Sequence, residues 1–484
     1  CFCRPAHSRG YAVILELILD RIEKDLIMKK ILVFVAFSVA LSALLNNTDI
    51  RGDDWPQWQG PNRDGVWHEQ GIVDQIPEDG LPIVWRVPLG GGYSGPAVTG
   101  ERLYVADYIK TEGALENNPN NRSLLSGAER VLCFDTKTGK ELWKYEYDCP
   151  YSISYAAGPR CTPTVHDDRV YALGSEGNFL CLDAENGKLL WEKDFKQDYD
   201  ASTPIWGFCG HPLIVDDLVI CVVGGEGSVA VAFDRVSGAE RWRALTASEQ
   251  GYCPPTIIES AGVQQLLIWD ADNLNSLEPS TGRQLWSEPL KPMYGMSIMV
   301  PQLGELNGDQ VLFASGIGKI GALYSLSKDA PGAQVVWRGG PKNAMYCANS
   351  TPFIEKNTIY GCDCHTGMLT AVDLETGNRL WETSVPTSDT DRPAKHGTAF
   401  LIRQQVANDP SRVWLFSETG DLILAGLTRD GYEERGRTHI LEPTNECFGR
   451  SVVWSHPAFA NRCCFARNDK ELVCVSLSAR NDRN

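Results

Sequence analysis

An all-β propeller of eight four-stranded blades is the fold class that the sequence predicts, and three observations predict it. A hairpin segment with the pattern Asp or Glu, then Gly, then Trp recurs along the chain, and two further apolar runs precede each copy. The copies recur about every 44 to 54 residues, the length of a propeller blade. Outside an apolar segment at 31–45, no stretch after residue 28 has the sustained 3.6-residue period of a helix.

The recurring segment is typical of a β-hairpin. In "CLDAENGKLLWEKDF", residues 181–195, apolar alternation predicts a strand that ends at a capping Asp183. Gly187 supplies the left-handed turn conformation, and Trp191 lies on the returning strand. We expect the repeated glycine and tryptophan pairs to dock neighbouring blades, without any ligand. These pairs are Gly139 and Trp143, Gly187 and Trp191, Gly238 and Trp242, Gly282 and Trp286, and Gly377 and Trp381.

The two ends of the repeat array predict how the ring closes. Two copies are degenerate: the segment from Ser325 has one extra residue between Gly and Trp, and the segment from Ala425 has lost the Trp. The last unit ends on a third strand, whereas the segment around Trp85 resembles a fourth strand without a hairpin partner. Pairing these two removes open sheet edges. The array is therefore predicted to hold eight blades, with the last one shared between both ends.

The net charge and the targeting signals limit where the protein can be located and which partners it can bind. The net charge of −17 argues against nucleic acid, which requires clustered Lys and Arg. Residues 1–27 are interpreted as an upstream extension, and residues 28–52 as a signal peptide with an apolar region at 31–45. An uncleaved anchor is the alternative, but this region is shorter than the roughly 20 residues that span a bilayer. Residues 53–479 then form one exported, periplasmic or envelope-associated propeller with no integral membrane span.

The cysteines are numerous for an exported chain. Several of them, such as Cys133, Cys181 and Cys474, stand where a buried strand requires a small apolar residue. Core filling is favoured over disulfides at these positions, although an oxidising compartment permits both.

A family resemblance follows from the repeat. The pattern Ala-x-Asp-x-x-Thr-Gly-x-x-x-Trp at residues 371–381 resembles the pyrroloquinoline-quinone (PQQ) repeat of quinoprotein alcohol dehydrogenase-like propellers. The stretch "DDWPQWQGPNRDGVW" at residues 53–67, with "GPRCTPTV", "WGFCGHPLIV" and "GYCPPTIIE", is similar to exported PQQ-binding-like propellers related to the assembly factor BamB. The resemblance covers nearly all of residues 53–479 and implies eight blades. It leaves the activity open, because this scaffold carries enzymes, assembly factors and sensor domains.

If this chain were an enzyme of this family, the resemblance would imply a calcium-bound PQQ, a carboxylate base and a vicinal cysteine pair near the start of the propeller. This chain has its pair, Cys463 and Cys464, in the last blade. The acidic segment "WDADNLNS", from Trp269, lacks the Gly and distal Glu of a calcium loop and reads as a hairpin turn. "GCDCHTG" at 361–367 lacks one residue for haem attachment and aligns with a blade turn. No cofactor and no metal are therefore expected.

Aromatic, thiol and charged residues recur where the innermost strand of each blade begins. These starts converge at one mouth of a propeller channel, where ligands of closed β-rings bind. The candidate residues at this mouth are Arg160, Cys161, Trp206, Cys209, Tyr252, Cys253, Tyr346, Asn349, Lys395, His396 and Arg450. No catalytic residue is proposed among them.

Three hypotheses follow. The first is an exported, non-enzymatic scaffold whose mouth or blade loops bind a protein or cell-envelope component. The polar insertion "IKTEGALENNPNNRSLLSGAER" in the first blade is a candidate contact loop, with a disordered loop as the alternative. The second is a PQQ- or metal-dependent oxidoreductase that uses the same mouth. The third is a glycan-binding module, which rests on exposed aromatic rings at Trp206 and Tyr252.

Overall fold

The repeated units fold into eight antiparallel sheets of four main strands each, arranged as the blades of a propeller. The structure is a computed structural model that describes residues 53–388, 392 and 394–479. The predicted upstream extension and signal peptide, 1–27 and 28–52, lie outside these residues. The predicted all-β, eight-bladed fold is confirmed.

Within blades 1 to 7 the chain runs from the innermost strand to the outermost. The strands of the first four blades are Ala97–Thr99, Arg102–Glu112, Ser123–Asp135 and Glu141–Asp148; Thr164–His166, Arg169–Leu173, Asn178–Asp183 and Leu189–Asp194; Leu213–Val215, Leu218–Val222, Ala230–Asp234 and Glu240–Ala244; and Thr256–Ser260, Val263–Trp269, Asn273–Leu277 and Gln284–Pro289. The strands of blades 5 to 7 are Gln302–Leu306, Asp309–Gly316, Ile320–Leu326 and Ala333–Arg338; Phe353–Glu355, Thr358–Asp363, Met368–Asp373 and Arg379–Thr383; and Ala399–Gln404, Arg412–Ser417, Asp421–Thr428 and Gly431–His439.

The eighth blade is assembled from both ends of the described chain. Its inner three strands are Ala458–Ala460, Cys463–Arg467 and Glu471–Ser476. Its outermost strand is Ile83–Pro88, which pairs antiparallel with Glu471–Ser476 so that Trp85 lies opposite Cys474. The closure predicted around Trp85 is therefore confirmed, and the strand pairing itself ties the ring together.

The remaining elements are short. Val66–Trp67 adds in parallel to the first strand of blade 7, Tyr151–Ile153 pairs with Ser123–Asp135, and Asn445–Cys447 forms a hairpin with Arg450–Val452. Among the described residues, the helices are Phe195–Tyr199, Val385–Ser388 and the 3₁₀ turn Met293–Gly295. In the described part of the chain, no helix has both the length and the apolar character needed to cross a bilayer.

Tryptophans of the outermost strands pack on the hairpin turns of the next blade. A Cβ placed on Gly187 would lie 2.5 Å from Cε3 of Trp143 in the preceding blade, so only glycine leaves room for the ring. The indole Nε1 of Trp143 then donates to the carbonyl oxygen of Ala184 at 3.1 Å. The same contact joins Trp85 to Gly139, Trp191 to Gly238, Trp242 to Gly282, and Trp337 to Gly377. The glycine of each pair thus receives the tryptophan of the blade before it.

Trp286 departs from this arrangement. Its indole Nε1 donates to Oε1 of Gln265 in its own blade at 2.8 Å, rather than to the turn of blade 5. That turn belongs to the degenerate copy with one extra residue before Trp337. The lengthened turn no longer places a glycine and a carbonyl group under the preceding indole.

The docking contact can be tested at Gly187, where φ is +73°. We expect Gly187→Ala to lower the free energy of unfolding by about 3 kcal/mol, because left-handed strain adds to the clash with Trp143. The matched control is Gly262→Ala, where φ is +71° and nothing lies within 4 Å of the added Cβ. Backbone strain alone should cost about 1 kcal/mol there. Equal losses in urea unfolding would contradict the docking role.

Strand alternation gives the propeller two different faces. Because each blade holds four antiparallel strands, the turns after the first and third strands lie on one face. The connections into each first strand, and the turns after each second strand, lie on the other face, which is the mouth. The first-blade insertion is mostly strand: Arg102–Glu112 and Ser123–Asp135 extend it, and residues 113–122 turn back at the mouth.

Candidate functional site

A cavity of about 690 Å³ lies at the mouth of the propeller. All eight connections that lead into a first strand contribute to it, as do the first-blade insertion and the segment before blade 1. Its lining residues are Trp58, Tyr93, Pro119, Asn120, Tyr155, Arg160, Ile205, Trp206, Cys209, His211, Tyr252, Pro254, Met293, Tyr294, Met296, Ile298, Ile317, Ala348, Asn349, Ser350, Thr351, His365, Lys395, His396, Phe448, Trp454 and His456.

The floor of this mouth cavity is made by residues 53–67, which cross the channel. Trp55 pairs with Val98 in blade 1, and Val66–Trp67 pairs with the first strand of blade 7. Between them, the guanidinium of Arg63 donates to the carbonyl oxygen of Pro212 at 2.8 Å. Trp58 therefore sits inside the ring, where its side chain is buried. Residues 53–67 therefore close the inner end of the mouth cavity.

Two imidazoles flank Trp58. His211 stacks on the indole with ring centroids 4.9 Å apart and planes at 12°, and His456 meets it edge-on at 5.6 Å. Nδ1 of His211 accepts a hydrogen bond from the backbone N–H of Thr162 at 2.9 Å. Burial lowers the pKa of His211 well below its ordinary value and that of His456 to about 3. Both rings are neutral at physiological pH, and the guanidinium of Arg63 lies 5.7 Å from the centroid of the Trp58 ring.

Two cations stand in the walls. Arg160 donates to the carbonyl oxygens of Ser154 and Tyr155 at 2.8 and 2.7 Å, and its guanidinium lies 5.1 Å from the centroid of the Tyr93 ring. Nζ of Lys395 lies 5.3 Å from the centroid of the Phe448 ring. Within the described part of the chain, neither side chain forms an ion pair.

Carboxylates lie behind the wall rather than in it. Glu418 accepts hydrogen bonds from Nε of Arg450 at 2.7 Å and from Nε1 of Trp454 at 2.9 Å. Glu249 accepts from the hydroxyl of Tyr252 at 2.9 Å. Burial raises the pKa of both carboxyl groups. They orient Trp454 and Tyr252, which line the cavity, but no Asp or Glu is among the described lining residues.

The rim exposes large apolar side chains. Tyr294 is 70% exposed, Met293 49% and Phe448 44%. Tyr294 and Phe448 have φ of +59° and +47°, and two lining residues, Tyr155 and His396, also have left-handed backbone. Non-glycine residues in this conformation cost about 1–3 kcal/mol each and cluster at binding and catalytic sites. The mouth thus combines backbone strain with exposed apolar surface, which is typical of a contact region.

The sequence-predicted mouth residues divide into two groups. Those that line the cavity are Arg160, Trp206, Cys209, Tyr252, Asn349, Lys395 and His396. The other four lie behind the wall. Cys161 and Cys253 are buried in apolar clusters, the hydroxyl of Tyr346 donates to the carbonyl oxygen of Gly340, and Arg450 pairs with Glu418.

Several lining residues were not among the predicted ones. Trp58, His211 and His456 form the floor, and Tyr155 and Trp454 form part of the wall. His211 follows Cys209 at the start of the innermost strand of blade 3, so the rule that selected Cys209 also applied to it. Trp58 carried no positional signal, because it lies outside the repeats.

The residues at the mouth do not fit a calcium-bound PQQ. Calcium requires hard oxygen ligands, and the described lining offers no carboxylate for the metal or for a catalytic base. Within the described residues, no group of three or more His, Cys, Asp or Glu is placed to hold a metal ion. Cys463 and Cys464 lie on the second strand of blade 8, away from the lining.

The other two motifs are turns. Oδ1 of Asp270 accepts from the backbone N–H groups of Asp272 and Asn273 at 2.8 and 2.7 Å. Oδ1 of Asp363 does the same for His365 and Thr366 at 2.8 and 2.9 Å. Each carboxylate therefore closes a hairpin between the second and third strands of its blade.

Of the cysteines that the structure describes, Cys209 is the one that lines the cavity. All 14 cysteines in the described residues are free thiols, and twelve of them are buried. Burial raises the pKa of Cys209 to about 11, so it is a neutral thiol rather than a nucleophilic thiolate.

Comparison with known families agrees with this architecture. The model of the family described as "Outer membrane protein assembly factor BamB" matches residues 71–194 and 127–382, about two thirds of the chain. No curated protein matches the sequence significantly.

Two solved dehydrogenase structures show the same fold at low identity. Quinohemoprotein alcohol dehydrogenase ADHIIG from Pseudomonas putida HK5 is 12% identical with a TM-score of 0.57, covering 89% of this chain and 81% of that one. A europium-containing methanol dehydrogenase is 12% identical with a TM-score of 0.56, covering 87% and 89%. BamB from Moraxella catarrhalis is 14% identical with a TM-score of 0.47, covering 78% of this chain and 99% of that one.

Proposed function

Because this chain belongs to the family described as the outer membrane protein assembly factor BamB, we propose that it is an exported, non-enzymatic scaffold that binds a protein partner at the cell envelope. The mouth cavity is the site of this contact. The observation that carries the proposal is the composition of that cavity: aromatic walls, two cations and an exposed apolar rim, with no carboxylate among the described lining residues.

An aromatic, partly exposed surface of this kind is suited to binding a protein. Aromatic side chains supply large contact area at a small cost in conformational entropy, and they dominate the energetics of protein interfaces. Tyr294 and Phe448 stand on the rim, where a partner would bury them. The four histidines of the described lining, His211, His365, His396 and His456, all have pKa values lowered by burial, so they are weak proton acceptors. The thiol of Cys209 is neutral as well, so binding is better supported than catalysis.

The quinoprotein oxidoreductase remains the main competitor, since two dehydrogenases share the fold. At 12% identity, these similarities are evidence for the fold and not for the activity. A quinoprotein dehydrogenase uses carboxylates both on its calcium ion and as a base, and no carboxylate lies among the described lining residues.

A cofactor titration tests the proposal. Purified protein is incubated with PQQ and Ca²⁺, passed through a desalting column, and assayed for retained quinone absorbance and for dye reduction with primary alcohols. We expect neither retained quinone nor turnover. Retention of the quinone with alcohol-dependent dye reduction would overturn the scaffold proposal.

A further inference from the structure

The charge of the mouth cavity opposes the charge of the whole chain. The protein carries a net charge of −17, yet its described lining holds Arg160 and Lys395 and no acidic residue. Charges of one sign in a low-dielectric cleft focus the local field and attract the opposite sign. The cavity therefore favours an anionic group against the general trend of the surface.

Arg160 is held rigidly, and its charge is not cancelled by a contacting carboxylate. Besides the carbonyl groups of Ser154 and Tyr155, its Nη1 donates to the carbonyl oxygen of Gly158 and to Oγ of Ser175, the latter at 3.3 Å. The backbone N–H of Ser175 in turn donates to Glu129 at 2.9 Å. Glu129 is buried and also accepts from the hydroxyls of Tyr147 and Tyr151, and burial raises its pKa. The hydrogen-bonding capacity of Glu129 is thus used behind the wall. Because both Nη atoms of Arg160 already donate to protein oxygens, Arg160 acts on an anion in the cavity through its positive charge, which no described carboxylate contacts.

Lys395 is available as well. It is held by contact with the Phe448 ring, and no carboxylate among the described residues pairs with it. The neighbouring His396 stacks on the Phe448 ring, with the ring centroids 4.9 Å apart and the planes at 11°. Burial first, and then Lys395, lower the pKa of His396 to about 4. The ammonium group therefore lies against the Phe448 ring, on which a neutral imidazole also stacks.

Unpartnered donors point to the same ligand chemistry. Nε1 of Trp58 and Nδ2 of Asn349 are buried and have no hydrogen-bond partner among the described residues. Both residues line the cavity. A buried donor without an acceptor costs about 1–3 kcal/mol, so a bound molecule that brings oxygen acceptors recovers this energy.

The cavity and its rim together form a larger surface than a small molecule would cover. A cavity of about 690 Å³ is within the range for ligands of drug size. Its rim continues outward through Met293 and the 70% exposed Tyr294. A free aromatic acid would fill the interior but would leave these side chains in water. A peptide that enters the cavity and continues across the rim would bury both.

We infer that the mouth cavity binds an extended peptide segment of the partner protein in which a carboxylate side chain stands next to an aromatic one. The carboxylate lies near Arg160 and Lys395, and the aromatic ring lies against the walls. This inference rests on the proposed scaffold function and adds the chemistry of the segment that the scaffold recognises.

Calorimetric titration with defined peptides tests the inference. The probes are acetyl-Phe-Asp-Phe-Asp-amide, its Asn and Lys counterparts, and free phenylacetate. We expect the acidic peptide to bind and to weaken as salt rises from about 0.02 M to about 0.5 M. Lys395→Glu should weaken its binding by tenfold or more, since a repulsive charge replaces an attractive one.

The matched control is Lys188→Glu, which makes the same charge change on an exposed lysine in a turn of the opposite face. It should leave the affinity unchanged, and thermal melts should show both variants folded. Equal binding of the Asn or Lys peptide, equal loss in both variants, or phenylacetate binding as tightly as the acidic peptide would overturn the inference. These outcomes leave the scaffold proposal standing, whereas PQQ-dependent turnover would overturn the scaffold itself.

Discussion

Replacing Arg467 with methionine is expected to lower the free energy of unfolding by about 3–5 kcal/mol. The side chain is completely buried at the end of the second strand of blade 8. It donates to the carbonyl oxygens of Asn468 at 3.0 Å, of Ala106 in blade 1 at 2.9 Å, and of Gly90. It therefore bridges the blade that closes the ring to the first complete blade.

The size of the effect follows from what remains after the substitution. A buried charge is often replaceable when its partners are removed with it, but here the partners are backbone carbonyl groups that stay in place. Methionine fills part of the volume and leaves these oxygens without donors. Urea unfolding measures the loss. The control, Arg243→Met, removes a guanidinium that is 54% exposed and paired with Glu240, and it should cost under about 1 kcal/mol. Similar losses would show that Arg467 does not hold the closure.

Replacing Trp58 with alanine is expected to cost about 3–5 kcal/mol, because it empties the volume of a buried indole inside the ring. The indole packs in an apolar cluster with residues of blades 4 to 6 and stacks on His211. Trp58→Phe should cost under about 1.5 kcal/mol, since the ring contact survives and Nε1 has no described partner to lose.

The pair of Trp58 variants also separates stability from binding. If Nε1 donates to a bound carboxylate, Trp58→Phe should weaken binding of acetyl-Phe-Asp-Phe-Asp-amide while urea unfolding stays close to that of the unaltered protein. A Trp58→Ala protein as stable as the original would contradict the placement of residues 53–67 across the channel.

The sequence was sufficient for the fold because the fold is repetitive. Strand alternation and the Gly187-type turn predict a hairpin locally, and repetition of the hairpin predicts the ring. The strand at Trp85 was recognisable because the repeat lacked one strand at one end and had one too many at the other. The sequence repeat pairs each glycine with the tryptophan four residues later in its own unit. The structure was needed to show that each glycine instead contacts the tryptophan of the preceding blade.

The site was predictable only in part, for two reasons. Residues at the start of an innermost strand alternate between the cavity and the core, and the bend of each connection decides which side chain faces inward. Cys209 consequently lines the cavity while Cys161 and Cys253 pack behind it. The floor at Trp58 comes from a non-repeating segment, in which no periodicity indicates where the chain runs.

Photo-crosslinking from the two faces tests the central claim, that this propeller binds a protein through its mouth. A benzophenone amino acid replaces Tyr294 on the rim in one variant, and Val236, a 53% exposed residue in a blade 3 turn of the opposite face, in the other. After illumination in envelope extract, we expect a discrete protein adduct from position 294 alone. The adduct should disappear with excess acetyl-Phe-Asp-Phe-Asp-amide and in a Lys395→Glu background. Equal adducts from both positions, or an adduct from position 236 alone, would contradict the claim.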